Sequence, residues 1–599
     1  MGTKSFSSRF ARLGRSLVAT GAIVAALLAS GGVADAAKVA KPQTDLPTGS
    51  VELPTSLSGN YLAARYANAT RDMSAAARFF SEALGDDPGN AFLLERAFTL
   101  LIADGRVREA MPLAEQLIAR DRGARLARLA LGIDALKAGR WERARTQIRA
   151  GAQGPLGDLT AAIINAWTQF GQGSPAEALA SLDKLNGPDW YATFKNYHGG
   201  LIADLAGKRD EALKRLEAAH KGDPNALRVT DAYARVLARA GRVEEARKVL
   251  TEFAKEVPDH PMIKATLAAI GSSQMPGPLL TSAQAGAGEL LYGLGAALGR
   301  DGGEEVGAIY LRLALHLDPK AELALVSLSS LHGQLKQYDK SIGILAQIGP
   351  QSPLRAMTEI QVGRFYNMLD NFDESKKHLE TIVAQVPSDV DAMMALADVM
   401  RVNKKFAEAA EAYTKALALI PNLQSTDWSL FYYRGIAHER TKQWPKAEAD
   451  FKKALELNPD EPHVLNYLGY SWIDMGMNLG EGLDLVKKAV SLRPDDGYIV
   501  DSLGWALYRL GRYEEAVVEL ERAVLLRPED PVINDHLGDA YWRVGRKLEA
   551  GFQWRHALDL KPEPEDLTKI QAKLKDGLAD QPPVAPAPAA GTPPATAAQ

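Results

Sequence analysis

The chain has 599 residues, 46% of them apolar and 24% charged, no cysteine, and a formal net charge of −4. Those fractions belong to a folded protein, which excludes wholesale disorder, a collagen-like repeat and a polytopic membrane protein. The missing cysteine excludes disulfide scaffolds, thiolate metal sites, thiol nucleophiles and a lipidated cysteine, and the slightly acidic balance gives no support to a nucleic-acid binder.

In chain order, the first 36 residues read as an address rather than as part of a fold. Lys4, Arg9, Arg12 and Arg15 form a basic start, Leu17 to Leu28 is mainly apolar, and Ala34-Asp35-Ala36 has the small-x-small pattern of a signal-peptide cleavage site. An apolar run of 12 residues is too short to cross a bilayer core as a helix. The expectation is an exported, periplasmic chain cleaved near Ala36, without a transmembrane span in its mature form. No Cys follows the apolar run, so it is not expected to be a lipoprotein. Residues 37–56, with Pro42, Pro47 and Pro54 and no helical period, read as a linker.

From Leu57 the same residue types return every 34 residues. Leu503-Gly504, Gly511, Ala516, Leu520, Ala523 and Pro528 reappear as Leu537-Gly538, Gly545, Ala550, Trp554, Ala557 and Pro562. The period and its pattern resemble the tetratricopeptide repeat, or TPR. That resemblance implies an all-α solenoid, a right-handed superhelix of about 14 helical hairpins in two blocks. Six repeats are expected over 57–260, starting at 57, 91, 125, 159, 193 and 227. Eight are expected over 288–564, starting at 288, 322, 356, 390, 428, 462, 497 and 531, with one extra residue within Met475 to Gly480. The twentieth residue of each repeat, from Ala76 to Ala550, is Ala, Gly or Ser, as required where the second helix crosses close to the first. Residues 261–287 read as an irregular joint, with a hinge and a packed rigid insertion both open. Residues 565–580 read as a polar capping helix and 581–599, rich in Pro and Ala, as a disordered tail.

A catalytic reading finds no footing. His438-Glu439-Arg440-Thr441-Lys442 lacks the second His of a zinc-protease helix, and no G-x-S-x-G or Walker motif occurs. Ser181-Leu182-Asp183-Lys184 matches S-x-x-K only by spacing, inside an ordinary repeat. Asp535, His536 and Asp539 are the most metal-like group, but on a helix A they fit better as groove lining. Neither an enzyme activity nor a cofactor or metal is expected.

Function then falls to the surface. In TPR proteins the second, fifth, ninth and twelfth positions of the first helix face the concave groove. In the N-terminal block this places Tyr61, Arg65, Glu95, Trp167, Tyr197, Arg228, Asp231 and Arg235 there. In the last three repeats it places His463, Asn466, Tyr470, Tyr498, Asp501, Trp505, Tyr508, Asp535, Asp539 and Trp542, with Arg509 and Arg543 one position further on. Aromatic residues with Arg, framed by Asp and Asn, have the composition of interface hot spots, so this set is the candidate partner-binding groove. Trp472 and Trp554 are expected to pack inside the repeats instead. No three consecutive repeats carry the Lys/Asn/Arg set of a carboxylate clamp, which leaves an extended peptide and a helix both open as ligands. Basic and acidic residues number 29 and 26 over 57–260 but 35 and 45 over 261–599. This asymmetry either steers a basic partner to the C-terminal half or reflects solvated outer faces, the second being the default reading.

The runs Val500 to Tyr513 and Asn534 to Trp542 are similar to proteobacterial secreted and outer-membrane TPR proteins of the protease-adaptor type. The resemblance implies a scaffold or adaptor whose partners are proteins or peptides, such as an envelope protease or an assembly machine. A structural part of a polysaccharide export or secretion complex is the alternative.

Overall fold

The structure is a computed structural model that describes residues 56–272, 275–300 and 302–578. The expected signal segment, all but the last residue of the linker, and the Pro/Ala-rich tail lie outside them. Among the described residues every regular element is helical, 30 α-helices and one short 3-10 turn, so the all-helical expectation holds.

The chain forms two compact units, one through Ser375 and one from Lys376. The first contains α1 (Leu57–Ala69), α2 (Met73–Asp86), α3 (Ala91–Asp104), α4 (Val107–Arg120), α5 (Arg125–Lys137), α6 (Trp141–Gly151), α7 (Gly154–Gly171) and α8 (Pro175–Asp183). It continues with α9 (Tyr191–Leu205), α10 (Arg209–Gly222), α11 (Leu227–Arg239), α12 (Val243–Glu256), α13 (Pro261–Gly271), α14 (Ala283–Leu298) and α15 (Glu304–Leu317). After α16 (Glu322–Gln334), α17 (Tyr338–Leu345) and α18 (Arg355–Met368), the boundary falls within α19 (Phe372–Gln385). The second unit has α20 (Val390–Val402), α21 (Phe406–Ala418), α22 (Trp428–Arg440), α23 (Trp444–Leu457), α24 (Pro462–Asp474) and α25 (Leu479–Leu492). It ends with α26 (Gly497–Arg509), α27 (Tyr513–Leu526), α28 (Pro531–Arg543), α29 (Lys547–Asp559) and α30 (Pro564–Asp576).

Local chemistry sets these boundaries. Asp496 caps α26 by accepting from the backbone N–H of Tyr498 and Ile499, and Asp530 does the same for α28 with Val532 and Ile533. Each hairpin then turns through a left-handed residue. Gly511 and Gly545 take it without strain at φ 76° and 82°, whereas Lys404 and Lys442 occupy the equivalent place at 59° and 60°. The extra residue appears where the repeat register requires it: Met475–Asn478 joins α24 to α25, against Leu510–Arg512 between α26 and α27.

Within a hairpin the two helices nearly touch. A Cβ on Gly504 would lie 2.5 Å from Leu520 Cγ. Where the small residue is Ser, its hydroxyl reaches across the crossing: Ser341 Oγ donates to the Ser329 carbonyl at 2.9 Å, and Ser375 Oγ to that of Gly363 at 2.7 Å. A larger side chain would force the helices apart and open the apolar seam. Trp472 and Trp554, each 1% exposed, fill that seam as the register predicts.

The first unit departs from a simple stack after α13. The chain turns back and lays α14 on α7 and α9, and α15 on α3 and α5. The first helices of its own N-terminal hairpins thereby receive a later hairpin of the same unit.

Candidate functional site

In the second unit the first helices α24, α26 and α28 lie side by side and present one shared face. Trp505, from α26, is the centre of this face. Its indole stacks with Tyr508 at 4.7 Å between centroids, 12° from parallel, and with His536 of α28 at 4.0 Å and 19°. Such near-parallel pairs contribute on the order of 1 kcal/mol beyond their buried area, so the three rings hold one another in a fixed orientation.

Polar contacts brace this stack. His536 Nδ1 meets both oxygens of the buried Asp501 at 3.0 and 3.1 Å. Burial works against the charged imidazole, but Asp501 outweighs it, with Asp535 and Asp539 adding to the effect, and the pKa lies above the ordinary value. On the other side, Arg543 Nε donates to the Tyr508 hydroxyl at 3.3 Å. Burial raises the pKa of this phenol, although the Arg543 guanidinium pulls the other way.

The predicted metal-like group is neutralised from within the chain. The Lys573 ammonium of α30 donates to Asp535 at 2.7 and 2.8 Å and to Asp539 at 2.8 Å. Asp539 also accepts from Trp554 Nε1 at 2.9 Å. Its carboxyl is pushed up to about 6, chiefly by burial, while Lys573 pulls the other way and Asp535 adds to the rise. An ammonium therefore stands where a cation would need to sit, and His536 is turned to Asp501. Next to it, Trp542 packs against Trp554 at 5.5 Å and lies under the Lys547 ammonium at 4.9 Å. The chain following α30 closes on the same indole: a Cβ on Gly577 would come within 2.3 Å of it.

The remaining predicted residues spread along the face. Arg509 is ion-paired with Asp474 and also donates to its carbonyl at 2.9 Å. Asn466 Nδ2 donates to Ser502 Oγ at 3.1 Å, and its Oδ1 is buried without a protein partner. Tyr470 is half-buried, and desolvation, then Asp474 and Asp501, raises its pKa. Tyr498 is exposed and carries the Arg527 guanidinium over its ring at 5.3 Å. His463 is exposed at the start of α24. Trp505, Tyr508, Asp501, Arg543, Asp535, Asp539 and Trp542 thus come together, while His463 and Tyr498 stand at the edge.

The repeat register did not single out Lys573 as part of this arrangement, and it put His536 among the groove-lining residues without identifying its partners. Lys573 belongs to a helix beyond the last repeat, so no periodic signal marks it. His536 was visible only as a neighbour of two carboxylates, and its position between Asp501 and Trp505 is set by the packing of α28 against α26.

Four stretches match family models: residues 205–270, 369–423 and 428–461 match models described as tetratricopeptide repeat, and 504–545 one described as TPR repeat. The chain therefore carries tetratricopeptide repeats, a module that generally mediates contact between proteins. It is 39% identical over 56 residues to the mitochondrial import receptor subunit TOM70 of Homo sapiens, a match covering 9% of each chain. Among solved structures, it is similar to the APC/C hetero-tetramer Cut9-Hcn1, with 15% identity, 88% of this chain and 97% of that chain covered, and a TM-score of 0.37. A tetratricopeptide repeat protein from Parabacteroides merdae has 16% identity, 42% and 96% coverage, and a TM-score of 0.36. Among the described residues no helix is long and apolar enough to cross a membrane.

Proposed function

We propose that this protein is a non-catalytic periplasmic scaffold or adaptor, and that a protein partner docks on the shared face of α24, α26 and α28. One observation carries the reading: the His536–Trp505–Tyr508 stack, held by Asp501 and Arg543. Rings restrained in this way lose little conformational freedom when a partner covers them, which is what makes aromatic anchors productive in interfaces. The basic and apolar run ending at Ala36 supports export, and a partner in the cell envelope follows from that location.

The test compares partner capture by the mature chain with capture by Trp505→Ala, Tyr508→Ala and Arg543→Ala, the captured proteins being identified by mass spectrometry. Loss of the same protein in all three, with helix content retained, is the expected result. An unchanged set rules out this face. Fractionation with N-terminal sequencing tests the location: a periplasmic chain beginning after Ala36 is expected, and a cytoplasmic chain retaining Met1 contradicts it.

A further inference from the structure

Where α9, α11 and α14 meet in the first unit, their side chains leave a cavity of about 60 Å³ walled by Phe194, Leu227, Val229 and Tyr292. A water needs roughly 10–15 Å³ of such space, so the cavity has room for a group of about four to six non-hydrogen atoms.

Two donors line this space with bonding capacity that the fold does not use. His198 is 1% exposed, and its Nδ1 accepts from the Trp167 indole at 3.1 Å, which puts the ring proton on Nε2. Burial keeps the imidazole neutral, its pKa pushed down to about 4 against the opposing influence of Glu289. Its Nε2–H meets no protein acceptor among the described residues. Arg228 gives Nε and Nη2 to the Glu289 carboxylate at 2.9 and 2.7 Å, and its Nη1 has no protein acceptor among the described residues. Glu289 is itself satisfied, because it also accepts from the Tyr197 hydroxyl at 2.8 Å.

The balance therefore favours an acceptor. A buried donor left unpaired carries its full desolvation cost, which a bound oxygen removes. The guanidinia of Arg228 and Arg300 line the cavity against the single carboxylate of Glu289, so an anionic oxygen is preferred to a neutral one. Phe194, Leu227 and Val229 beside these donors call for an apolar stem.

We propose that this cavity is a binding site for a carboxylate on a short aliphatic stem, its oxygens at His198 Nε2 and Arg228 Nη1 and its stem against Phe194, Leu227 and Val229. A free acid and the end of a peptide chain share this chemistry. The site uses none of the residues around Trp505, so it stands or falls apart from the proposed function.

The test titrates sodium butyrate into the full-length chain at constant ionic strength, followed by saturation-transfer NMR, with butan-1-ol and butylammonium as controls of the same size. Saturable binding about tenfold or more tighter than either control is expected. Gly293 lines the cavity and a Cβ added there meets nothing within 4 Å, so Gly293→Leu fills the space while suiting α14 better than glycine does. This variant should weaken butyrate by about tenfold or more, as should His198→Phe, which removes the donor. If His198→Phe fails to fold, Gly293→Leu decides the matter. Acetyl-Gly-Gly-Val separates the two sources: binding tighter than that of butyrate assigns the site to a peptide end, weaker binding assigns it to a free acid, and either supports the site. No saturable binding of either carboxylate, butyrate binding no tighter than butan-1-ol, or binding unchanged by Gly293→Leu overturns the proposal.

Discussion

Gly538→Ala perturbs the fold and the candidate site through one methyl group. Gly538 lies on α28 against Trp554 of α29, and a Cβ there would be 2.5 Å from Cδ1 and Nε1 of an indole only 1% exposed. Carbon atoms in contact prefer roughly 3.5–4.0 Å, so the indole must retreat by about 1 Å or the helices must part. Overpacking of this size costs about 1–3 kcal/mol. The indole N–H is also the donor to Asp539 at 2.9 Å, and a shift of that size breaks the bond. A lost hydrogen bond to a charged acceptor adds about 1.5–3 kcal/mol. The sum is roughly 2.5–6 kcal/mol, confined to the last hairpin and its neighbours because a repeat array is stabilised by nearest-neighbour contacts. Amide exchange of the full chain reads this directly. Protection in α28–α30 should fall by about 100-fold or more, at 1.4 kcal/mol for each factor of ten, while α1–α4 stay unchanged. Gly551→Ala, in the middle of α29 with nothing within 4 Å of its added Cβ, serves as the control and should raise protection by about 0.5–1 kcal/mol. A loss under about threefold for Gly538→Ala would refute the close-approach reasoning.

Lys573→Met leaves Asp535 and Asp539 without their shared ammonium, and the loss should be about 3–5 kcal/mol at pH 8. Because Asp539 already titrates near 6 rather than 3.8, the folded state holds its proton more tightly than the unfolded chain, and stability falls as pH rises from about 4 to 6. Without Lys573 that window moves upward, so the cost should be smaller at pH 5, measured as urea midpoints by tryptophan fluorescence; equal losses at both pH values would contradict the assignment. His536 has the opposite chemistry but the same direction. Its folded pKa is raised, so its contribution is complete below about 6.5 and is lost as pH climbs through the folded value. His536→Phe keeps a ring over Trp505 and removes the titration. The fall in midpoint of the unmodified chain across that range should be reduced in the variant, and an unaltered fall would show that another group titrates.

Hairpins and their buried seams were legible because they depend on local rules. A helix that repeats every 34 residues must return the same residue type to the same neighbour, so Gly504 and Gly538, Ala516 and Ala550, or Trp554 in the seam could be placed by position alone. Side-chain partners on the shared face were less accessible. Register puts Trp505 on a first helix, but whether His536 meets Asp501, a metal or solvent depends on rotamers and on the angle between α26 and α28. Lys573 lay beyond the periodic region and left no trace in it.

The amino-acid sequence by itself determined the helical hairpin, its period, its turns and the residues that let its helices touch, since all of these follow from contacts less than one repeat apart. Tertiary structure alone decided where the array folds onto itself. Gly286 meets Trp167, and Glu305 meets Arg96, across separations far longer than the repeat. No period links such pairs, because their meeting is a property of the path the whole unit takes. The same holds for Lys573, whose charge acquires its role only when α30 brings it between two carboxylates that burial has made costly to leave unpaired.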